Sequence, residues 1–238
     1  MEHLSNTEQL YSRTGITDSK KLSLLTAYAE AIHTENLKYN LTGHKTLSDI
    51  IDNLIIGSLE PVKNFNVPRG TLFGDLGTGA GIPGIPLAIK YDECRGILFD
   101  SNQKKIRFIN KIVSELGIGN VRGVDIRVED AGREESYREQ LDFIFTRAMS
   151  DIYTIAELGS PLLKTSGFIY LYVTKSQIEL NDYLMEHITD LGLSSDTEPV
   201  LEDMTEGGIT EGMILVKIKE TDIKYPRRMP VIKRMASK

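Results

Sequence analysis

The stretch LFGDLGTGAGIPGIPL at residues 72–87 decides the fold. Residues 72–76 predict a short buried strand. A glycine-rich loop follows, and Pro83 can then begin a helix without losing a needed hydrogen-bond donor. The glycines let the backbone turn tightly and come close to a ligand where a Cβ would clash. The helix offers free backbone N–H groups and the positive end of its dipole. This strand, loop and helix therefore predict a ligand site.

From residue 71 the sequence alternates between strand and helix patterns. The predicted strands cover residues 72–76, 96–100, 121–124, 141–145 and 168–173. The predicted helices cover residues 83–92, 103–116 and about 176–191. Such alternation predicts an α/β fold, a parallel sheet with helices on both faces. Two further strands, at 198–201 and 213–218, have no helix between them and predict a closing antiparallel hairpin. That ending is typical of Rossmann-like methyltransferases and not of dinucleotide dehydrogenases.

The N-terminal part is predicted to be helical. Residues 18–38 carry an apolar stripe at helical spacing, with Asp18 as the N-cap, and residues 47–64 repeat the pattern. Residues 67–70 (VPRG) then break the helix. We therefore divide the chain into three parts. They are an N-terminal helical extension packed on the core (1–66), a Rossmann-like domain (67–220) and a basic C-terminal tail (221–238).

Composition limits the function classes. Of the 238 residues, 40% are hydrophobic and 26% charged, and the formal net charge is −6. No apolar run approaches the ~20 residues of a membrane-spanning helix, and residues 1–9 do not resemble a signal peptide. The single cysteine, Cys94, excludes an internal disulfide and a multi-cysteine metal site. We expect a cytoplasmic protein without a membrane or a metal ion.

Charge is unevenly distributed along the chain. Residues 224–238 contain six basic residues and no acidic ones, on a chain that is acidic as a whole. A basic tail on an acidic body indicates a local contact with phosphate, and a solvated, frayed terminus is the alternative.

Two adenosine cofactors are compatible with the loop. Asp75 ends the first strand, at the edge where open α/β sheets bind ligands. Gly79–Gly84 satisfies G-x-G-x-x-G and Asp100 follows about 20 residues later, as a dinucleotide site requires. Gly77, however, follows Asp75 by two residues, which together with the closing hairpin favours S-adenosylmethionine. Asp75 would then hold the amino-acid part of the cofactor, and Asp100 its ribose diol.

Further cofactor contacts follow from the same register. The loop contributes Asp75, Gly77, Thr78, Gly79, Gly81 and Pro83. After the third strand, where such folds contact adenine, the candidates are Arg127, Val128, Glu129 and Asp130, with a solvated loop as the alternative.

The residues after the fourth strand limit the reaction. Amino-directed nucleic-acid methyltransferases often carry N/D-P-P-Y there, whereas this chain has FTRA at 145–148. Pyrimidine C5 methylation needs a cysteine nucleophile, and Cys94 precedes the second strand, away from the cofactor edge. Guanine N7 has a free lone pair, so its methylation needs alignment and no general base. Arg147 could anchor the substrate. Lys104, Lys105 and Arg107 could assist, although cations on a helix surface are usually only solvated.

Four motifs resemble the bacterial small-subunit (16S) ribosomal RNA guanine-N7 methyltransferases, the glucose-inhibited division protein B family. They are YNLT at 39–42, the loop DLGTGAGIPGIP at 75–86, Asp100-Ser101 followed by Lys104 and Arg107-Phe108, and Arg147-Ala148. Weaker matches are Lys175 and YPRRMP at 225–230. The resemblance spans about residues 20–234.

The resemblance implies a monomeric, cytoplasmic enzyme that uses S-adenosylmethionine to methylate guanine N7 in the decoding region of 16S ribosomal RNA. The substrate would be that RNA or a small ribosomal subunit precursor. Arg147 and Lys175 would serve catalysis, and Arg147 and Ser101 would also contact the cofactor. The residues expected to contact RNA are Asn40, Lys104, Arg107, Arg227 and Arg228.

The chain departs from the family pattern at three places. The usual H-x-x-D-S is replaced by NLIIGS at 53–58, Glu35 replaces a tryptophan or similar residue, and Ser176 replaces a glycine. These departures concern substrate positioning more than cofactor binding. They leave two alternatives to an RNA guanine-N7 methyltransferase: a small-molecule methyltransferase on the same core, and a catalytically silent RNA- or ribosome-binding module.

Overall fold

The computed structural model describes residues 6–174, 178, 186–196 and 212–236. Lys175, Ser176, the predicted strand at 198–201 and most of the predicted helix at 176–191 lie outside the described residues. The described strands are β1 (Leu72–Leu76), β2 (Arg95–Asp100), β3 (Val121–Asp125), β4 (Leu141–Arg147), β5 (Leu163–Tyr172), β6 (Leu193–Ser194) and β7 (Met213–Lys217). They form one sheet in the order β3-β2-β1-β4-β5-β7-β6.

The sheet is parallel except at one end. β1 pairs in parallel with both β2 and β4, so that Asp75 lies beside Leu98 on one side and Phe145 on the other. β7 runs antiparallel to β5, with Phe168 opposite Val216, and β6 runs antiparallel to β7. The predicted Rossmann-like methyltransferase sheet with an antiparallel closing strand is therefore confirmed.

The described α-helices surround this sheet. They are α1 (Asn6–Thr14), α2 (Ser19–Asn36), the mixed helix α3, α4 (Gly84–Lys90), α5 (Gln103–Glu115), α6 (Val128–Ala131), α7 (Ile152–Gly159) and α8 (Met229–Ala236). Helix α3 consists of α-helical Leu47–Asp49, π-helical Ile50–Ile56 and α-helical Gly57–Leu59. Short 3₁₀ helices span Ser160–Leu162 and Ile188–Leu191. None of the helices in the described residues has the length and apolar character of a membrane span.

The two faces of the sheet bury separate apolar clusters. Side chains alternate along each strand, so Phe143 and Phe145 of β4 face one cluster and Ile144 faces the other. The first cluster includes residues of α2, α3, α4 and α5. The second includes residues of α6, α7 and α8. The N-terminal helices therefore share a core with the sheet.

The C-terminal segment folds against the body of the protein. Tyr225 and Pro226 are buried, and Ile232 of α8 is fully buried in the cluster that α7 shares. The Arg138 guanidinium donates to the carbonyl oxygens of Thr221 and Tyr225 at 2.7 and 2.9 Å. Residues 221–236 are consequently packed against the rest of the protein and are not a frayed terminus.

Candidate cofactor site

The glycine loop lies at the carboxyl edge of the sheet, between β1 and α4. β1 has β2 on one side and β4 on the other. The strand order reverses at this point, and open α/β sheets bind ligands in the crevice that such a reversal creates. The carboxyl ends of β1, β2, β3 and β4 therefore gather the predicted site residues.

Three loop glycines adopt backbone angles that other residues avoid. Gly77, Gly79 and Gly81 have φ values of +65°, +61° and +99°. A Cβ on Gly77 would lie 2.5 Å from Cγ of Met149, whereas one on Gly79 would meet nothing closer than 3.9 Å. The backbone at Gly79 is thus open to a ligand, and that at Gly77 is closed by packing.

Asp75 is a buried carboxyl group beneath the loop. Its Oδ2 atom accepts hydrogen bonds from the Thr78 hydroxyl at 2.6 Å and the Gly84 amide at 2.9 Å. Its Oδ1 atom has no partner among the described residues. Burial raises the pKa of Asp75 to about 7, against the two hydrogen bonds, which lower it. A buried oxygen without a partner is costly unless a ligand satisfies it.

Asp100 ties the end of β2 to the loop. Its Oδ2 atom accepts from the Gly79 amide at 2.9 Å, and its Oδ1 atom accepts from the Asn102 amide at 2.8 Å. A carboxylate has about four acceptor positions, so two remain for hydroxyl groups such as those of a ribose. Ser101, the next residue, is exposed.

The loop after β3 lies beside Asp100. The Ile126 amide donates to the Asp100 carbonyl oxygen at 3.3 Å. Arg127 is exposed at the start of α6 and Glu129 is partly buried, so both remain available to a ligand. Val128 is buried in the cluster behind the sheet, and its side chain therefore packs in the core.

Arg147 ends β4 and contacts α3. Its Nη1 atom donates to the Asn53 carbonyl oxygen at 2.6 Å, and a Cβ on Gly57 would lie 3.2 Å from that nitrogen. Burial lowers the pKa of Arg147. The ion pairs found within the described residues do not include Arg147. The segment that departs from the family pattern thus holds Arg147 through a backbone carbonyl.

Tyr172 is a residue that the sequence did not single out. It ends β5, and its hydroxyl donates to the Ser58 carbonyl oxygen at 2.7 Å. Burial raises its pKa well above the usual value, so the hydroxyl stays a donor. Tyr172 and Arg147 together hold α3 at the carboxyl edge. Its position at the end of a strand, next to a predicted site residue, was the available signal.

The residues predicted to contact RNA do not all face solvent. Asn40 is exposed and accepts from Nζ of Lys45 at 2.9 Å. Lys104 and Arg107 are exposed on α5. Arg228 of the tail is exposed as well, so four of the five residues predicted to contact RNA face solvent.

Arg227 is engaged inside the fold. Its Nε atom donates to Oε1 of Glu157 at 2.9 Å, and its Nη2 atom donates to the Tyr153 hydroxyl at 2.6 Å. Glu157 is fully buried. The Nε and Nη2 donors of Arg227 are thus directed to a buried carboxylate and a phenol, which holds the guanidinium against α7. Its contact with RNA stays a prediction.

Cys94 lies at the amino ends of the parallel strands, opposite the carboxyl ends where the glycine loop lies. It precedes β2 and is buried, and its Sγ atom approaches the Pro68 carbonyl oxygen at 3.4 Å. The thiol is therefore remote from the loop, as its position in the sequence indicated.

The donor set fits S-adenosylmethionine better than a dinucleotide. The free Oδ1 of Asp75 suits an ammonium group, such as that of the amino-acid part of S-adenosylmethionine. An anionic pyrophosphate would gain nothing from a buried carboxyl group under the loop. The remaining acceptor positions of Asp100 suit ribose hydroxyls. The loop, Asp75 and Asp100 are therefore the candidate residues for holding the cofactor.

Comparison with known proteins agrees with this geometry. The GidB family model, described as rRNA small subunit methyltransferase G, matches residues 21–195. The Ribosomal RNA small subunit methyltransferase G of Lachnoclostridium phytofermentans is 30% identical over 217 residues, which cover 87% of this chain and 88% of that protein. The protein of the same name from Thermotoga sp. (strain RQ2) is 32% identical over 198 residues, covering 81% and 82%. That from Mycoplasmoides gallisepticum is 34% identical over 182 residues, covering 75% of each.

The matched residues include the glycine loop, Asp75, Asp100 and Arg147, and they extend into α2 and α3. The chain therefore belongs to the rRNA small subunit methyltransferase G (GidB) family and is an S-adenosylmethionine-dependent methyltransferase.

Proposed function

We propose that the protein methylates N7 of a guanine in the decoding region of 16S ribosomal RNA. The observation that carries the proposal is the position of Cys94, the one cysteine of the chain, which is buried at the edge of the sheet opposite the cofactor loop. Pyrimidine C5 methylation would require a cysteine beside the methyl donor. A nucleophile that needs no covalent help is therefore favoured, and the family points to guanine.

The proposed reaction asks the protein to align two partners. When bound, S-adenosylmethionine supplies an electrophilic methyl group. Guanine N7 would accept that methyl group through its free lone pair, with S-adenosylhomocysteine as the leaving group, so no residue of the protein would have to remove a proton first. Asp75 and Asp100 would fix the cofactor. Arg147, whose guanidinium has no acidic partner in the described residues, would orient the guanine nucleotide. Lys175, outside the described residues, stays a predicted catalytic residue.

RNA binding is proposed for one basic surface. Asn40, Lys104 and Arg107 are exposed and would form this surface. Lys105 lies near the loop, with Nζ 3.9 Å from the Cβ position of Gly79. A protein of net charge −6 needs such a local surface to hold phosphates. Arg228 would add a second contact from the tail. A monomeric, cytoplasmic enzyme stays a prediction.

The test is mass spectrometry of 16S ribosomal RNA from cells with and without this gene. We expect 7-methylguanosine at a decoding-region site to disappear without the gene and to return when the purified protein and S-adenosylmethionine are added. Naked RNA and assembled small subunits should be tested separately. Unchanged 7-methylguanosine would refute the proposal.

A small-molecule substrate is the second candidate, motivated by the replacement of H-x-x-D-S in α3. It predicts turnover without RNA and little dependence on salt. A phosphate-binding enzyme should instead lose RNA affinity steeply as salt rises.

A further inference from the structure

The glycine loop is contacted from the side by a residue of the N-terminal helices. Tyr28 of α2 is fully buried, and its hydroxyl donates to the Ala80 carbonyl oxygen at 2.7 Å. Ala80 lies between Gly79 and Gly81. The two bonded residues are 52 positions apart in the chain, so this hydrogen bond joins the helical extension directly to the loop.

The contact is close enough to constrain the loop. A Cβ on Gly81 would lie 2.9 Å from the Tyr28 hydroxyl oxygen and 2.7 Å from Cδ1 of Ile85. The φ of Gly81 is +99°, which also favours glycine. The loop therefore turns directly against the tyrosine, and it could not move toward α2 without a clash.

The hydroxyl also lies within electrostatic reach of Asp75. Burial and the negative charge of Asp75 both raise the pKa of Tyr28, so the phenol stays protonated and remains a donor. The buried Tyr28 hydroxyl thus lies near both Asp75, the candidate cofactor ligand, and the glycine loop above Asp75.

We propose that Tyr28 is a positioning residue for cofactor binding. Its hydrogen bond fixes the Ala80 peptide, and through it the backbone of Gly79 and Gly81, in the shape that receives S-adenosylmethionine. Because Tyr28 belongs to α2, the affinity for the cofactor then depends on the position of this helix. The helical extension would then serve the cofactor as well as the RNA, whichever nucleotide is methylated.

The test compares two tyrosine-to-phenylalanine variants. Tyr28→Phe removes one hydroxyl and leaves the ring. We expect the Kd for S-adenosylhomocysteine, measured by calorimetry, to rise roughly fivefold, the size expected when one hydrogen bond is removed. The KM for S-adenosylmethionine should rise in parallel, while kcat at saturating cofactor changes by less than about twofold, because the loop acts by binding and not by chemistry.

Tyr91→Phe is the matched control. Tyr91 follows α4, and its hydroxyl donates to the carbonyl oxygens of Val62 and Phe65, both at 3.1 Å, without touching the loop. Removing this hydroxyl should lower the melting temperature and leave the Kd within about twofold, since its hydrogen bonds lie elsewhere. An unchanged Kd for Tyr28→Phe, or equal changes in both variants, would overturn the proposal.

Hydrogen exchange gives an independent measurement on the same proteins. Without the Tyr28 hydroxyl, the backbone amides of Thr78–Ile82 should exchange faster, and those of Tyr91 and Cys94 should not. The Tyr91→Phe variant should show the reverse pattern. If Tyr28→Phe leaves the loop amides as protected as in the wild type, the tyrosine does not position the loop.

Discussion

Glu157 and the partly buried Arg227 form an ion pair that ties the C-terminal segment to α7. Glu157 is fully buried and accepts hydrogen bonds from the backbone amide of Arg227 at 2.8 Å and from its Nε atom at 2.9 Å. The pair stands immediately before Arg228 and α8. Arg227 therefore anchors the basic tail to the body of the protein, and the exposed Arg228 beside it stays a predicted RNA contact.

The first prediction concerns the stability of this anchor. Arg227→Ala would leave the Glu157 carboxylate buried without its cation, so we expect a loss of about 3–5 kcal/mol in the free energy of unfolding. Urea denaturation followed by circular dichroism measures it. Arg13→Ala is the control, because the Arg13–Glu60 pair is exposed and should contribute less than about 1 kcal/mol. Similar losses in both variants would contradict the anchoring role.

The second prediction concerns pH and the cofactor. Burial raises the pKa of Asp75 to about 7, so in the cofactor-free protein this carboxyl gains a proton as pH falls through 7. Protonation removes the charge that would hold the ammonium group. The Kd for S-adenosylhomocysteine should therefore rise by up to about tenfold for each pH unit as the pH falls from 7 to 5.

Calorimetry across this range checks the pH prediction. The Asp75→Asn side chain cannot titrate, so this variant should bind S-adenosylhomocysteine weakly at every pH, and its Kd should not depend on pH. If the wild-type affinity is flat between pH 5 and 7, the carboxyl does not hold the cofactor.

The third prediction concerns Gly84, where α4 begins against the sheet. A Cβ there would overlap Leu98 and lie 2.9 Å from Oδ2 of Asp75. Gly84→Ala should therefore cost about 1–3 kcal/mol in stability through overpacking, and it should weaken cofactor binding by displacing Asp75. Thermal unfolding and calorimetry measure the two effects. Gly119→Ala is the control, since a Cβ on Gly119 meets nothing within 4 Å.

The fourth prediction concerns the proposed RNA surface. Replacing Lys104 and Arg107 by alanine should weaken binding to 16S ribosomal RNA. It should also flatten the salt dependence by about one unit of slope for each phosphate that the variant no longer binds. The Kd for S-adenosylhomocysteine should not change. Arg69→Ala is the control and removes one cation where the test variant removes two. Arg69 is an exposed arginine that precedes the amino end of β1 and is paired with Glu93. An equal weakening in this control would mean that the effect reflects net charge alone.

The parts of the fold that local pattern determines were predictable. The glycine loop, the five parallel strands and α2, α4 and α5 follow from periodicity, glycine position and capping residues such as Asp18, whose side chain accepts from the amides of Lys20 and Lys21. Helix α7 was not predicted, because all eight of its residues are buried and no polar stripe marks a helical period. In α3, the π-helical turn at Ile50–Ile56 carries an apolar run that an α-helix would carry equally well.

The site was predictable only where one residue carries its own signal. Asp75 and Asp100 stand at strand ends, so their positions follow from the strands. Tyr28 belongs to the apolar stripe of α2, and nothing near it in the sequence indicates a partner at Ala80. The sequence indicated that Arg227 is charged, but it did not indicate its partner Glu157, which lies 70 residues earlier in the chain. Both contacts depend on the tertiary arrangement.

The place of β7 in the sheet has a consequence for synthesis on the ribosome. β7 is inserted between β5 and β6, and its Val216 pairs with Phe168. When β5 emerges, its outer backbone edge has no strand to pair with until residues 213–217 follow, near the end of the chain. An open edge is a template for pairing with other chains, and the N-terminal part of a chain begins to fold first. The nascent enzyme is therefore most prone to aggregation late in translation, and a chain that stops before Met213 would keep this hazard permanently.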